Sequence, residues 1–254
     1  MKNKKGMEDF IMKVDVTLCV NDLKLDDLCN KTVIVIDSLR ATSSILTALN
    51  NGCSKVIPVE TVGQAMQFDC MENTILIGER YSKKIHGFDL GNSPTEINRL
   101  NLKNKTVVIT STNGTKALQK AKKAAHILVG SFLNATHCIE TAIKLRKDIV
   151  FLCAGRRGKF AIEDGLTAGI MIQYLREHLP LVECSDIALL LSNTYADRKA
   201  ELQQVVKEGA TGKTLIETLQ KEDLEYCLQI DQYQLTGVYQ DDGIISYKDT
   251  QLMS

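Results

Sequence analysis

Short apolar runs of strand length recur through the first two-thirds of the chain, at 32–36, 55–59, 74–77, 106–110, 126–129 and 149–153. They are rich in Val and Ile and mostly lack alternation with polar residues, the pattern of strands covered on both faces. Helix-like stretches separate them, at 44–51, 61–70, 115–124, 134–145 and 166–178. Strand alternating with helix predicts βαβ units, hence an α/β fold, layered α/β/α, with a largely parallel sheet. Beyond about residue 185 the pattern turns helical, at 185–191, 197–207, 214–219 and 222–228, so a helical C-terminal third is expected. From Val238 the tail adds a short strand through Gly243-Ile244-Ile245-Ser246. With three prolines and no low-complexity linker, the chain reads as one compact domain, or as two α/β halves fused into one core. No repeat of solenoid period is found.

Composition narrows the class. The 254 residues balance 31 Lys+Arg against 31 Asp+Glu, so the net charge is zero. That removes the basic field on which nucleic-acid binders rely. Hydrophobic content of 44% with 24% charged residues suits a globular chain and excludes a disordered one. No apolar run approaches the roughly 18 residues that span a bilayer. The opening residues are basic, then acidic, with no apolar stretch or cleavage site of a signal peptide. Eight cysteines (19, 29, 53, 70, 138, 153, 184 and 227) include no C-x-x-C pair and none at ligand spacing from a His, so they read as free thiols in the core of a cytoplasmic protein.

Candidate chemistry lies where strands feed helices, the place where open α/β sheets bind ligands. Four junctions stand out. In Asp37-Ser38-Leu39-Arg40-Ala41-Thr42-Ser43-Ser44 an acid ends a buried strand, and an arginine and hydroxyls open a helix, as an anion site requires. In Thr110-Ser111-Thr112-Asn113-Gly114-Thr115-Lys116, Asn113-Gly114 permits a tight turn with positive φ and the hydroxyls can donate to phosphate oxygens. Cys153-Ala154-Gly155-Arg156-Arg157-Gly158-Lys159 offers cations, followed by the Glu163-Asp164 pair that suits Mg²⁺ or the first turn of a helix. Gly78-Glu79-Arg80 precedes His86 and Asp89, then Asn92 and a Ser93-Pro94-Thr95-Glu96 capping box. Among look-alikes, Gly212-Lys213-Thr214 lacks the first P-loop glycine and reads as a helix-to-helix turn. Cys153 has Lys159 where a cysteine phosphatase has arginine. Asp37 lacks a second aspartate at Leu39.

Val35-Ile36-Asp37-Ser38-Leu39-Arg40-Ala41-Thr42-Ser43 resembles the V-I-D-x-L-R-A-T-[ST] signature of the 2-phosphosulfolactate phosphatase family. Gly78-Glu79-Arg80 with the 87–96 segment resembles its G-E-R…G-F-D-x-x-N-S-P-x-E block. Thr110–Thr115 resembles T-T-T-N-G-T, and Ala154-Gly155 with Glu163-Asp164 resembles A-G…[ED]-D. With Asp223-Leu224-Glu225-Tyr226-Cys227, the match extends over about residues 12–240, leaving 1–11 as an unmatched extension. Departures are Ser111 for Thr, Lys116 for Arg, and Leu235-Thr236-Gly237 without a Val-Pro.

The resemblance implies a Mg²⁺-dependent hydrolase that converts 2-phospho-3-sulfolactate and water to 3-sulfolactate and phosphate, a step towards coenzyme M. It implies Asp37, Arg40, Glu79 and Arg80 as catalytic residues. Thr42, Ser43, Asp89, Asn92, Thr112, Asn113, Gly114, Thr115, Gly155 and Arg156 would bind substrate, and Asp37, Glu163 and Asp164 would bind Mg²⁺. Asp37 is open to three roles: nucleophile, base or metal ligand. The expected partner is a small anionic phosphorylated substrate, with no nucleic acid and no membrane; a homo-oligomer is also compatible. Two other readings compete: a phosphatase for another small phosphorylated hydroxy acid, and a non-catalytic binder of anionic metabolites.

Overall fold

The structure, a computed structural model, describes residues 11–247. These form β1 (Met12–Thr17), β2 (Thr32–Ile36), α1 (Ala41–Asn50), β3 (Lys55–Pro58), α2 (Val62–Met66), β4 (Thr74–Arg80), β5 (Lys83–Lys84), α3 (Pro94–Asn98), β6 (Thr106–Thr110), α4 (Gly114–Lys120), β7 (His126–Gly130), α5 (Ala135–Lys144), β8 (Ile149–Cys153) and α6 (Ile162–His178). There follow β9 (Val182–Cys184), α7 (Asp186–Arg198), α8 (Leu202–Glu208), α9 (Ala210–Glu217), α10 (Lys221–Cys227), β10 (Gly237–Gln240) and β11 (Gly243–Ser246). The α/β class and the mainly helical C-terminal third match the expectation. Apart from Ile11, the N-terminal extension lies outside the described residues.

The strands make one sheet in the order β5-β4-β6-β3-β11-β10-β7-β2-β8-β1-β9. Two parallel blocks, β4-β6-β3 and β7-β2-β8-β1-β9, flank the antiparallel β10–β11 hairpin. Alternate residues face opposite ways. On one face Val33, Val35, Val107, Ile109, Val129, Val150 and Leu152 join the core around α1 and α4. On the other, Ile34, Ile36, Phe151 and Cys153 meet α5, α6 and α7. Residues 41–49 of α1 are all buried. Its small and hydroxyl residues permit that, since Thr47 Oγ1 donates to the Ser43 carbonyl at 2.8 Å, a local route for satisfying a buried hydroxyl.

Some expectations change. Residues 12–17 alternate buried and exposed and form a strand that reading for unbroken apolar runs passed over, as it did β5, β9 and β10. Helix α6 starts at Ile162, taking Glu163 and Asp164 into its first turn. Gly212 lies inside α9, so the expected turn there is displaced to Gly209. No helix among the described residues is long and apolar enough to cross a membrane.

Candidate active site

A pocket of about 180 Å³ is lined by Asp37, Arg40, Glu79, Ser111, Gly155 and Glu163 among others. These come from the end of β4, from loops after β2, β6 and β8, and from the start of α6, so separate strand ends converge there.

The loop after β2 is tied to itself. Asp37 N–H donates to Thr42 Oγ1 at 3.1 Å, Thr42 N–H to the Asp37 carbonyl at 3.0 Å, and Ser43 Oγ to the Ser38 carbonyl at 2.8 Å. Thr42 and Ser43, expected to bind substrate, are fully buried and brace the loop, and neither is among the residues that line the pocket. Asp164 ties this loop to the next strand, accepting from Ser38 N–H on Oδ1 and Gly155 N–H on Oδ2, both at 3.0 Å. Gly114 takes no positive φ, contrary to expectation. It is needed because a Cβ there would lie 2.5 Å from Asp37 Oδ2 and 2.6 Å from the Ala41 Cβ. Thr115, also fully buried, exchanges bonds with Ser111: Thr115 N–H to Ser111 Oγ at 3.1 Å, and Ser111 N–H to Thr115 Oγ1 at 3.2 Å. It closes the loop and is not among the residues that line the pocket.

Glu79 lines the pocket, but its carboxylate is engaged. Oε1 accepts from Thr112 N–H and Oγ1 at 3.2 and 3.0 Å, and Oε2 from Ser82 N–H at 2.7 Å. Arg80 turns away from the pocket, donating to the Glu79 and Glu60 carbonyls and to Thr110 Oγ1 at 2.8–2.9 Å. Asp89 is exposed and accepts from Leu76 N–H at 2.7 Å. Arg80 and Asp89 thus hold the fold of this loop and are absent from the lining. Asn92, Thr112, Asn113 and Arg156 do line the pocket. Arg156 Nη2 donates to Thr214 Oγ1 at 2.8 Å, and its loop closes through a tight turn with positive φ at Arg157 and Gly158. His86 is exposed, and Lys116 Nζ donates to Asn21; neither lines the pocket.

Arg40 pairs with Asp223, both nearly buried. Asp223 Oδ1 also accepts from Ser93 Oγ and Thr95 Oγ1 at 2.7 Å and from Thr95 N–H at 3.1 Å. Ser93 caps α3, accepting from Glu96 N–H at 3.2 Å, and Pro94 takes the first helical position as expected; the return bond from Ser93 N–H to the Glu96 side chain that completes a capping box is not formed among the described residues. Asp223 was visible only as part of the last matching block, while Tyr81, Ser82, Thr211, Thr214 and Leu215 also line the pocket and carry no local sequence signal.

Electrostatically the pocket is an acid cluster. Burial, reinforced by Glu79 and Glu163, pushes the Asp37 carboxyl up to about 7. Burial also raises Glu163, and it raises Asp164 well above the usual range with help from Glu163 and Asp37. Glu163 Oε2 is buried with no hydrogen-bond partner among the described residues. These oxygens suit a hard cation, and an orphaned carboxylate oxygen is what such an ion would occupy. They do not make a closed cage: among the described residues no three His, Cys, Asp or Glu side chains converge to hold a metal. The expected Asp37–Glu163–Asp164 trio is opened because both Asp164 oxygens turn to backbone N–H groups. Burial beside Asp164 and Glu163 drives the Cys153 thiol strongly up, leaving no thiolate for nucleophilic attack.

Residues 18–242 match the family model described as 2-phosphosulpholactate phosphatase. A protein of Clostridium acetobutylicum named "Probable 2-phosphosulfolactate phosphatase" is 38% identical over 236 residues, covering 92% of this chain and all of its own length. Proteins of the same name from Clostridium novyi and Caldanaerobacter subterraneus subsp. tengcongensis are 39% and 40% identical, covering 87% and 85% of this chain and 94% and 90% of their own. Matches of that length embrace the loops after β2, β4, β6 and β8 together with Asp223, so they include every element that builds the pocket. The chain belongs to the 2-phosphosulpholactate phosphatase family.

Proposed function

We propose that the protein hydrolyses the phosphomonoester of 2-phospho-3-sulfolactate, releasing 3-sulfolactate and phosphate with the help of Mg²⁺, as a cytoplasmic step towards coenzyme M. The carrying observation is one small pocket in which Asp37, Glu163 and Asp164 stand beside Arg40, Arg156 and Arg157 at converging strand ends. A substrate with phosphate, carboxylate and sulfonate brings about four negative charges. Carboxylates alone would repel it, whereas cations and a metal on the same wall would hold it.

Mg²⁺ would be held by Asp37 and Glu163, with waters and phosphate oxygens completing its shell, and when bound it would neutralise phosphoryl charge. The protein's own groups do the rest. Arg156 and Arg157 face the anion, and their donors stabilise charge developing on the phosphoryl oxygens. Asp37, raised towards neutrality by burial, is matched to accept a proton from the attacking water. We assign it as base or ligand rather than nucleophile, because Leu39 stands where a second aspartate would service a phosphoenzyme.

Phosphate release across a panel of phosphorylated hydroxy acids, with and without EDTA, tests the reading. Phosphosulfolactate is expected to be the best substrate and chelation to abolish turnover. Better turnover of a phosphorylated acid lacking the sulfonate would reassign the substrate, and no release from any member would leave a binding protein. Acid-quenched enzyme should carry no phosphate on Asp37; a trapped phosphoaspartate would make it the nucleophile.

A further inference from the structure

Helix α9 brings Thr211, Thr214 and Leu215 to the pocket wall. Its start sits directly against the start of α6: a Cβ on Gly209 would lie 2.7 Å from Ile162 Cγ2 and 3.1 Å from the Val206 carbonyl oxygen. The helix is therefore fixed relative to the β8–α6 loop, which carries Arg156 and Arg157.

The Thr214 hydroxyl is engaged on both sides. It donates to the Ala210 carbonyl at 3.0 Å and accepts from Arg156 Nη2 at 2.8 Å. A hydroxyl has one proton and two lone pairs, so with its proton on the helix backbone it meets Arg156 only as an acceptor. The Arg156 backbone is pinned as well: its N–H donates to the Lys159 carbonyl at 2.8 Å, and its carbonyl accepts from Lys159 N–H at 3.0 Å. Arg156 lines the pocket, and Thr214 is its one side-chain hydrogen-bond partner among the described residues. The other guanidinium donors are left to a ligand. Arg157, exposed beside it, has no such anchor among the described residues.

The kind of anchor matters. Arg40 is held by the Asp223 carboxylate, which offsets its charge. A hydroxyl holds a guanidinium in place and takes none of its charge. An arginine held in this way keeps its full attraction for a multiply charged anion, and loses little side-chain freedom when the anion arrives.

We propose that Thr214 is a positioning residue, aiming Arg156 at a dianionic phosphoryl group with the charge of the guanidinium intact. This rests on the pocket being a phosphomonoesterase site, and it brings a residue of the C-terminal helices into the recognition of the phosphoryl group.

Calorimetric titration with inorganic phosphate, in buffer containing Mg²⁺, reads the aim of Arg156 without turnover. Thr214→Val keeps the shape of the side chain and removes the acceptor. It should weaken phosphate about tenfold and lower kcat/KM for 2-phospho-3-sulfolactate by a similar factor. Thr214→Ser restores the acceptor and should bring both to within about threefold of the wild type. In an Arg156→Ala background the Thr214→Val change should cost less than about twofold, because the side chain it aims is gone. A tenfold loss in both backgrounds, phosphate binding by Thr214→Val equal to that of the wild type, or no rescue by Thr214→Ser overturns the proposal. If Thr214→Val does not fold, Thr214→Ala against Thr214→Ser makes the same comparison. Weakened phosphate binding by Thr214→Val, with no turnover of any phosphoester by the wild type, would remove the phosphatase reading and leave the aiming of Arg156 standing.

Discussion

Two groups of buried charge meet at this pocket, and they are built on opposite principles. Around Asp223 every charge is answered: Arg40 takes one oxygen, and Ser93 and Thr95 take the other. Around Asp37, Glu163 and Asp164 the charges have the same sign, and Glu163 Oε2 has no partner among the described residues. A paired cluster of this kind holds elements together. An unpaired one is kept against stability, which singles it out as the reacting part of the pocket.

Breaking the paired cluster should have the largest effect. Arg40→Ala leaves Asp223 buried without its cation and should cost about 3–5 kcal/mol, read as a lowered midpoint in urea unfolding. A loss below about 1 kcal/mol would mean the pair contributes nothing beyond an exposed one. Gly114→Ala attacks the acid cluster through its backbone. Because the new Cβ meets Asp37 and Ala41, α4 must shift, at about 1–3 kcal/mol, and turnover should fall with it; an enzyme of wild-type stability and rate would show that the loop has room. Glu163→Gln is the prediction of opposite sign. Removing one of the crowded buried charges should raise stability by about 1 kcal/mol while activity collapses. A destabilised variant would show that Glu163 has a partner in solution.

The smallest effect is expected away from both clusters. Burial, aided by Lys147, lowers the His126 pKa below its usual 6.5. The unfolded chain then takes up the proton first, so His126 favours folding above pH 6.5 and loses that contribution as pH falls through the folded value. His126→Gln should flatten the dependence of stability on pH just below 6.5. An unchanged slope would place the acid sensitivity elsewhere, in the carboxylates.

Reading the chain alone found the strands with β-branched residues on both faces, such as Thr32–Ile36, because burial on two sides leaves a contiguous apolar run. It also found the junctions that carry Asp37, Glu79 and the Glu163-Asp164 pair, since an aspartate or glutamate beside such a run is conspicuous. What those loops do with their side chains is less legible. Thr42, Ser43, Thr115 and Arg80 look like ligands of an anion, yet each satisfies a backbone or side-chain partner inside the loops. A hydroxyl that braces a turn and one that meets phosphate are the same residue type. The C-terminal contributions were hidden for another reason. Thr211 and Thr214 reach the pocket, and Asp223 reaches the Arg40 that lines it, across more than a hundred residues from Asp37, and helical periodicity reports which face is buried, not against what.

The β10–β11 hairpin occupies the middle of the sheet, between β3 and β7, although both neighbours are made more than a hundred residues earlier. During synthesis, two parallel blocks must wait with open edges until residues 237–246 leave the ribosome, and open edges invite pairing with other chains. The order of manufacture thus runs against the order of the sheet. A nascent chain halted before Gly237 would hold every loop of the pocket and still be a candidate for aggregation rather than a working enzyme.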